Sequence, residues 1–275
     1  MRIAIVGAGG IGGGYGAALA AAGADVTFIA RGAHLAAIRS KGLKVEGGRG
    51  ETHIMPAQAT DDPATVGPVD VVLFCVKLWD VESAGAQVKP MVGKDTAVIT
   101  LQNGIDAHER LIPILGRQAV MPGVANISAT IAAPGVIRQT GIVMRMVFGE
   151  LDGTTSARGQ ALAAQCAKAG IDGVFSAAIL TELWMKFILL ASNAGMMALA
   201  RLPIGHLRDD PDIAPYFIAA YEEVVAVGRA SGIALPVDAV ERTLNFNRNA
   251  PAHLMASMGA DLLRGNRIEL PWLSG

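Results

Sequence analysis

The sequence predicts an α/β protein in which an open, doubly wound, mostly parallel sheet is followed by an all-helical C-terminal half. Three observations carry this expectation. A five-residue apolar strand, Arg2–Val6, runs directly into the glycine-rich stretch Gly7–Gly14 and then an alanine-rich helix. Two later segments, Asp70–Val76 and Thr96–Leu101, are almost continuously apolar, as strands covered on both faces of a parallel sheet must be. Around Ser176 the hydrophobic period changes, and from Ala178 onward the pattern is helical almost throughout. The expected domains are therefore residues 1–175 and 176–275, with the active site in the cleft between them.

Gly7, Gly9 and Gly12 have the G-x-G-x-x-G spacing of a Rossmann-type dinucleotide-binding domain. In that spacing the first glycine permits a tight turn, the second lets the backbone approach a pyrophosphate, and the third allows close helix-to-strand packing. Gly10 and Ile11 complete the first helical turn, whose free N–H groups and positive dipole end suit a phosphate. The helix runs to Ala22, with Gly23 closing it. Ile3–Ala24 carries no charge, but a leader or membrane span is rich in Leu, Ile and Phe, and this run is mostly Gly and Ala.

The second strand is Ala24–Ala30. An acidic residue for a ribose 2′-hydroxyl belongs at its C-terminal end, yet Arg31 stands there and Asp25 lies at the wrong end. A guanidinium at that point pairs with a 2′-phosphate and favours NADP, the alternative being a merely solvated arginine. His34–Ser40 reads as a short helix closed by Gly42, and Leu43–Ala57 as a hairpin around Gly47–Gly50. Lys77 follows the Asp70–Val76 strand at the edge where ligands bind, either meeting a cofactor phosphate or simply solvated. Asn103, after the Thr96–Leu101 strand, holds the same kind of position. Ala119–Ile127 and Val136–Phe148 read as strands, Thr155–Ala169 as a helix and Val174–Phe175 as a last short strand. Leu180–Ala200, Ile213–Ser231, Val237–Phe246 and Ala252–Leu263 read as helices separated by Pro203, Gly232 and Pro236.

On the Leu180–Ala200 helix, Lys186 and Asn193 lie seven residues apart and share a face beside the run Phe187–Leu190. A lysine desolvated by such neighbours has a lowered pKa and can give up a proton near neutral pH. A surface lysine paired with Glu182 is the alternative of equal weight. Composition narrows the partners. The chain has 275 residues, 52% hydrophobic and 17% charged, with mean hydropathy +0.41. Its 23 basic and 24 acidic residues leave a net charge of −1 without a like-charged block, so neither nucleic acid nor an anionic membrane is indicated. Cys75 and Cys166 form no C-x-x-C pattern, and His34, His53, His108, His206 and His253 have no metal-ligand spacing. Cytoplasm is the expected compartment, and no metal is expected.

The motifs GAGGIGG at Gly7–Gly13, Ala30-Arg31-Gly32, Cys75-Val76-Lys77, Leu101-Gln102-Asn103-Gly104, Trp184-Met185-Lys186, and Ser257 with Glu269 together resemble the ketopantoate reductase (2-dehydropantoate 2-reductase) family over essentially the whole chain. The resemblance implies NADPH-dependent reduction of a small 2-oxo acid, with ketopantoate as leading substrate. It implies that Gly7, Gly9, Gly10, Ile11, Gly12, Arg31, Lys77 and Asn103 hold the cofactor, that Lys186 is the catalytic lysine assisted by Asn103 and Glu269, and that Ser257 and Glu269 contact substrate, with Asp261 structural. Asn193 joins the substrate-binding expectation because Leu190 and Ala194 occupy positions where the family commonly has asparagines, one and two turns beyond Lys186. The chain also ends at Gly275, short of the family's usual last helices, so a truncated C-terminus is expected; a homodimer is compatible with the resemblance. Two other readings stay open: a β-hydroxyacid dehydrogenase, whose glycine loop usually carries Met where Ile11 stands, and an NADPH-sensing protein without turnover.

Overall fold

A computed structural model describes all 275 residues and separates into two units, Met1–Gln102 with Asp106–Ile179, and Asn103–Ile105 with Leu180–Gly275. The division falls a few residues beyond the change of hydrophobic period because the chain after the last strand stays tied to the sheet: Ser176 N–H donates to Phe148 O at 2.8 Å.

The first unit contains strands β1 (Arg2–Val6), β2 (Asp25–Ile29), β3 (Leu43–Gly47), β4 (Thr52–Ile54), β5 (Gln58–Thr60), β6 (Val69–Phe74), β7 (Val92–Thr100), β8 (Val120–Ala133), β9 (Val136–Phe148) and β10 (Asp172–Phe175). Its helices are α1 (Gly10–Ala21), α2 (Gly32–Lys41), α3 (Val81–Val88), α4 (Ala107–Leu115) and α5 (Ala157–Lys168). The strand order is β4-β3-β9-β8-β7-β6-β1-β2-β5, with β10 also on β9. From β5 to β8 all neighbours are parallel. The chain winds outward from β1 through β2 to β5, then returns to place β6 on the other side of β1. That reversal between β1 and β6 is the switch point at which doubly wound sheets bind ligands.

Helix α1 lies unusually close to its neighbours because it has glycines on two sides. A Cβ at Gly12 would overlap Gly7 O, and one at Gly16 would fall 2.5 Å from the Phe28 ring. On the other side, a Cβ at Gly10 would overlap the Ala129 carbonyl, and those at Gly13 and Gly14 would fall 2.8 Å from Ile137 and 2.7 Å from Ile127. One face of the helix therefore packs on β1 and β2, and another on β8 and β9. Ile3, Ile5, Phe28, Leu73 and Ile99 fill the core beneath it, each large apolar side chain adding about 1.5–3 kcal/mol of burial.

Several elements differ from the sequence expectations. Strand β8 continues six residues past Ile127, because Ser128–Ala133 pairs with β9 in a long antiparallel arm. Strand β5, absent from the sequence reading, completes the parallel edge against β2. Helices α3 and α4 are also additions; Gly85 in one and Pro113 in the other weaken their sequence signal.

The second unit contains α6 (Ile179–Ala200), α7 (Ile204–Arg208), α8 (Ala214–Ala230), α9 (Ala239–Asn249), α10 (Ser257–Leu263) and α11 (Leu270–Leu273). The expected helix over Ala252–Leu263 is corrected to a start at Ser257. The preceding stretch turns at Ala252–His253, where Leu254 N–H donates to Pro251 O, and it is tied to the start of α7 by Ile204 N–H to Leu254 O and Gly205 N–H to Ala252 O, all 2.9 Å. Trp184, Ile188, Met197, Phe217, Tyr221 and Val225 form the core. Helix α6 is long and apolar enough to cross a membrane by length and composition, with mean hydropathy 1.4 over its best window. Here it is the core helix of the unit, which accounts for the same composition.

The glycine packing predicts a contrast between neighbours. Gly10→Ala should lower stability by about 1–3 kcal/mol, because a backbone carbonyl cannot yield to the new methyl. Gly9→Ala should leave it unchanged, since nothing lies within 4 Å of its Cβ position. Thermal melts of the two variants check this, and equal melting temperatures would refute it.

Candidate active site

In the first unit, Gly7 makes the turn out of β1 with φ +91°, and the N–H groups of Gly7 and Ala8 both donate to Ile29 O, at 3.2 and 3.3 Å. The place of a Gly7 Cβ is 3.0 Å from the Cys75 carbonyl, so the loops after β1 and β6 touch across the switch point. Gly13 N–H is bonded to Gly9 O at 2.7 Å, and the N–H groups of Gly10, Ile11 and Gly12 therefore emerge from the end of α1 without an intrahelical acceptor. The space at Gly9 is open. This combination fits a dinucleotide pyrophosphate: free amides at a helix N-terminus beside a position where no side chain intrudes.

Arg31 is the exposed residue that caps α2, and its Nη2 donates to Gln87 Oε1 at 3.3 Å. Lys77 is exposed at the end of the β6 turn, with Nζ 5.8 Å from the Trp79 ring centre. That turn is held from behind by Arg110, which donates to Leu78 O at 2.7 Å and forms a two-pronged pair with Glu82 at 2.6 and 2.8 Å. Gln102 is buried and its Nε2 donates to both Phe74 O and Val76 O, at 2.8 and 3.1 Å. The end of β7 is thereby tied to the same turn.

In the second unit, Lys186 on α6 is half-buried and its Nζ donates to Asn103 Oδ1 at 2.9 Å. Burial pulls the ammonium down from the usual lysine range to about 8, while the negative charge of Glu269 opposes the fall. Glu269 is 5% exposed and stands at the N-cap of α11. The arrangement is a partly desolvated cation with one N–H fixed by an amide oxygen and a buried carboxylate nearby, which is suited to donating a proton.

Known proteins resemble this chain along its whole length. The family profile described as "Ketopantoate reductase PanE/ApbA" matches residues 3–153, and the one described as "Ketopantoate reductase PanE/ApbA C terminal" matches residues 178–275. The chain belongs to the ketopantoate reductase family. It is 30% identical to a 2-dehydropantoate 2-reductase of Mesorhizobium japonicum over 98% of this chain and 88% of that protein. Among solved structures, a PanE/ApbA family ketopantoate reductase from Ralstonia eutropha JMP134 superposes with TM-score 0.90 at 34% identity, covering 99% of this chain and 89% of that one. A 2-dehydropantoate 2-reductase from Geobacter metallireducens gives TM-score 0.92 at 29% identity, with coverages of 99% and 90%. As a ketopantoate reductase relative, the protein is a pyridine-nucleotide-dependent oxidoreductase acting on CH–OH groups, with a small oxo acid as substrate. Of the three readings that the sequence leaves open, this is the one that the family supports.

The other expected site residues are distributed unequally. Ser257 is exposed as the first residue of α10, and Asp261 accepts from Asn266 Nδ2 at 3.2 Å. Leu190 is half-buried and Ala194 fully buried, so Leu190 alone of the pair keeps exposed surface beyond Lys186. Asn193, expected at the substrate, has its side-chain oxygen engaged within the helical unit. Its Oδ1 accepts the Tyr221 hydroxyl at 2.5 Å, and that hydroxyl in turn accepts from Asn247 Nδ2 at 2.9 Å, all three residues being buried. The position of Asn193 on α6 is only about 20° off that of Lys186, so helical phase does not set it apart; α8 and α9, which supply Tyr221 and Asn247, cover this part of α6. Sequence reasoning noted Gln102 only within the Leu101-Gln102-Asn103-Gly104 motif and singled out neither Tyr221 nor Asn247, the latter lying in a polar helix that gives no burial signal.

The buried chain predicts coupling. Asn193→Ala and Tyr221→Phe should each cost about 1–3 kcal/mol by leaving a buried partner unpaired. The double variant should lose less than the sum. Denaturant melts of the four proteins check this, and strict additivity would dissolve the network.

Proposed function

We propose that the protein reduces ketopantoate to pantoate with NADPH, as a cytoplasmic step of pantothenate biosynthesis, and that Lys186 is the general acid. The observation that carries the reading is the Lys186 ammonium, held at 2.9 Å from Asn103 Oδ1 and brought down to about 8 by burial. The bound nicotinamide would supply the hydride to the carbonyl carbon. Lys186 would meet the carbonyl oxygen with an N–H that Asn103 does not use, stabilise the developing negative charge and deliver its proton there. Asn103 keeps the ammonium from rotating freely, and Glu269 keeps it protonated further up the pH scale than burial alone would allow. Ser257, exposed at the start of α10, is available to the polar end of the substrate.

Arg31 supports the choice of NADPH. It is a cation at the end of β2 with no acidic residue beside it at that strand end, and Gln87 occupies one of its donors from the side. A charge-assisted bond to the 2′-phosphate contributes about 1.5–3 kcal/mol, so Arg31→Ala should weaken NADPH by roughly 10- to 150-fold and leave NADH nearly unchanged. Fluorescence titration of both dinucleotides checks this; an equal loss for the two would remove Arg31 from the role.

The pH dependence follows from the sign of the shift. A general acid works only while protonated, so kcat/KM for ketopantoate reduction should be level below a pH of about 8 and fall with rising pH above it. Glu269→Gln removes the charge that raises the Lys186 pKa, and the falling limb should move to lower pH. A profile that stays level to the ordinary lysine range, or a limb that moves upward in Glu269→Gln, would overturn the assignment of the acid.

A further inference from the structure

His34, near the start of α2, makes two hydrogen bonds that join that helix to two separate loops of the first unit. Its Nδ1 accepts from Gly135 N–H at 3.0 Å, and its Nε2 is 2.8 Å from Ala8 O. Because Nδ1 accepts, the proton of the neutral ring must be on Nε2, which therefore donates to the Ala8 carbonyl. Gly135 lies in the turn between β8 and β9, and that turn is itself anchored, with Lys44 N–H donating to Gly135 O at 2.9 Å. The same antiparallel arm carries Ala129 and Thr130, whose backbone closes on Gly10. The glycine loop thus meets the arm directly at Gly10 and through His34 at Ala8.

The bond to Ala8 O has a consequence for the atom on the other side of the same peptide. In a planar trans peptide the C=O and the following N–H point in opposite directions. With the Ala8 oxygen held by His34, the Gly9 N–H is turned away from α2, at the residue whose Cβ position is open. We propose that His34 is a positioning residue for the dinucleotide: as the Nε2–H tautomer braced by the β8–β9 turn, it orients the Ala8–Gly9 peptide so that its N–H serves the pyrophosphate. Released from His34, the carbonyl could swing toward the pyrophosphate and oppose its negative charge. The assignment rests on the dinucleotide reading given above, but it concerns the pyrophosphate, which NADPH and NADH share, and not the 2′-phosphate met by Arg31.

Two substitutions separate the bonds. A glutamine amide nitrogen stands where His Nε2 stands, and an asparagine oxygen where Nδ1 stands, so His34→Gln retains the donor to Ala8 O and His34→Asn retains only the acceptor for Gly135 N–H. Binding of NADPH and of NADH to the full chain is measured by fluorescence titration, with thermal melts on each variant and kcat at saturating NADPH. His34→Asn should weaken both dinucleotides by the same factor, about 5- to 20-fold, with kcat within about twofold of the parent; His34→Gln should bind within about twofold of the parent. Equal affinities in the two variants, a loss confined to His34→Gln, or a loss for NADPH alone would overturn the assignment while leaving the dinucleotide reading intact. A parent protein that binds neither dinucleotide would overturn both.

Discussion

The structure of the first unit depends on how near α1 can come to its surroundings. A helix with ordinary side chains would stand well off the sheet, but Gly12 and Gly16 bring it down onto Gly7, Ile5 and Phe28. Gly10, Gly13 and Gly14 admit the β8–β9 arm on its other side. The loop before the helix is consequently held from both flanks, and its amides are fixed before any ligand arrives. Preorganisation of this kind keeps ordering costs out of the binding step. It also explains why the glycine-rich stretch exceeds what a pyrophosphate alone requires: Gly13 and Gly14 answer to the sheet arm, and Gly10 to both the arm and the free helix end.

The second unit shows the opposite problem, a charge kept where charge is disfavoured. Helix α6 is apolar enough to serve as the centre of a core, and Lys186 within it loses hydration. Asn103 compensates with a hydrogen bond and Glu269 with its negative charge, leaving the ammonium weaker as a base than a solvated lysine and stronger as an acid. Without Glu269 the burial would act alone. The same helix carries Asn193 to Tyr221, so one element supplies both the desolvated cation and a buried polar tie between α6, α8 and α9.

The structural supports of the cofactor side are distributed over distant segments. Gln102 binds the end of β7 to the turn after β6, Arg110 binds α4 to that turn, and His34 binds α2 to both the glycine loop and the β8–β9 turn. Each is a polar group that reaches backbone atoms, which makes the loops insensitive to the side chains they happen to carry. It is the architecture expected where a site lies on loops yet must be held to a fraction of an ångström.

The sequence by itself determined the parts that depend on local chain geometry. Glycine spacing after a short strand, continuous apolar runs at Asp70–Val76 and Thr96–Leu101, and the change to helical period near Ser176 are properties of neighbouring residues, and the corresponding strands and helices lie close to where those signals put them. The family resemblance was legible for a related reason, since its motifs are short and each keeps its own spacing. The tertiary structure decided what polar side chains face. Lys186 and Asn103 are 83 residues apart, and His34 and Gly135 are 101 apart. The extension of β8 past Ile127 required its partner in β9, and the pairing of Asn193 required α8 and α9 to be in place. Apolar patterning registers only whether a residue is buried; which donor meets which acceptor is settled when folding brings remote segments of chain side by side.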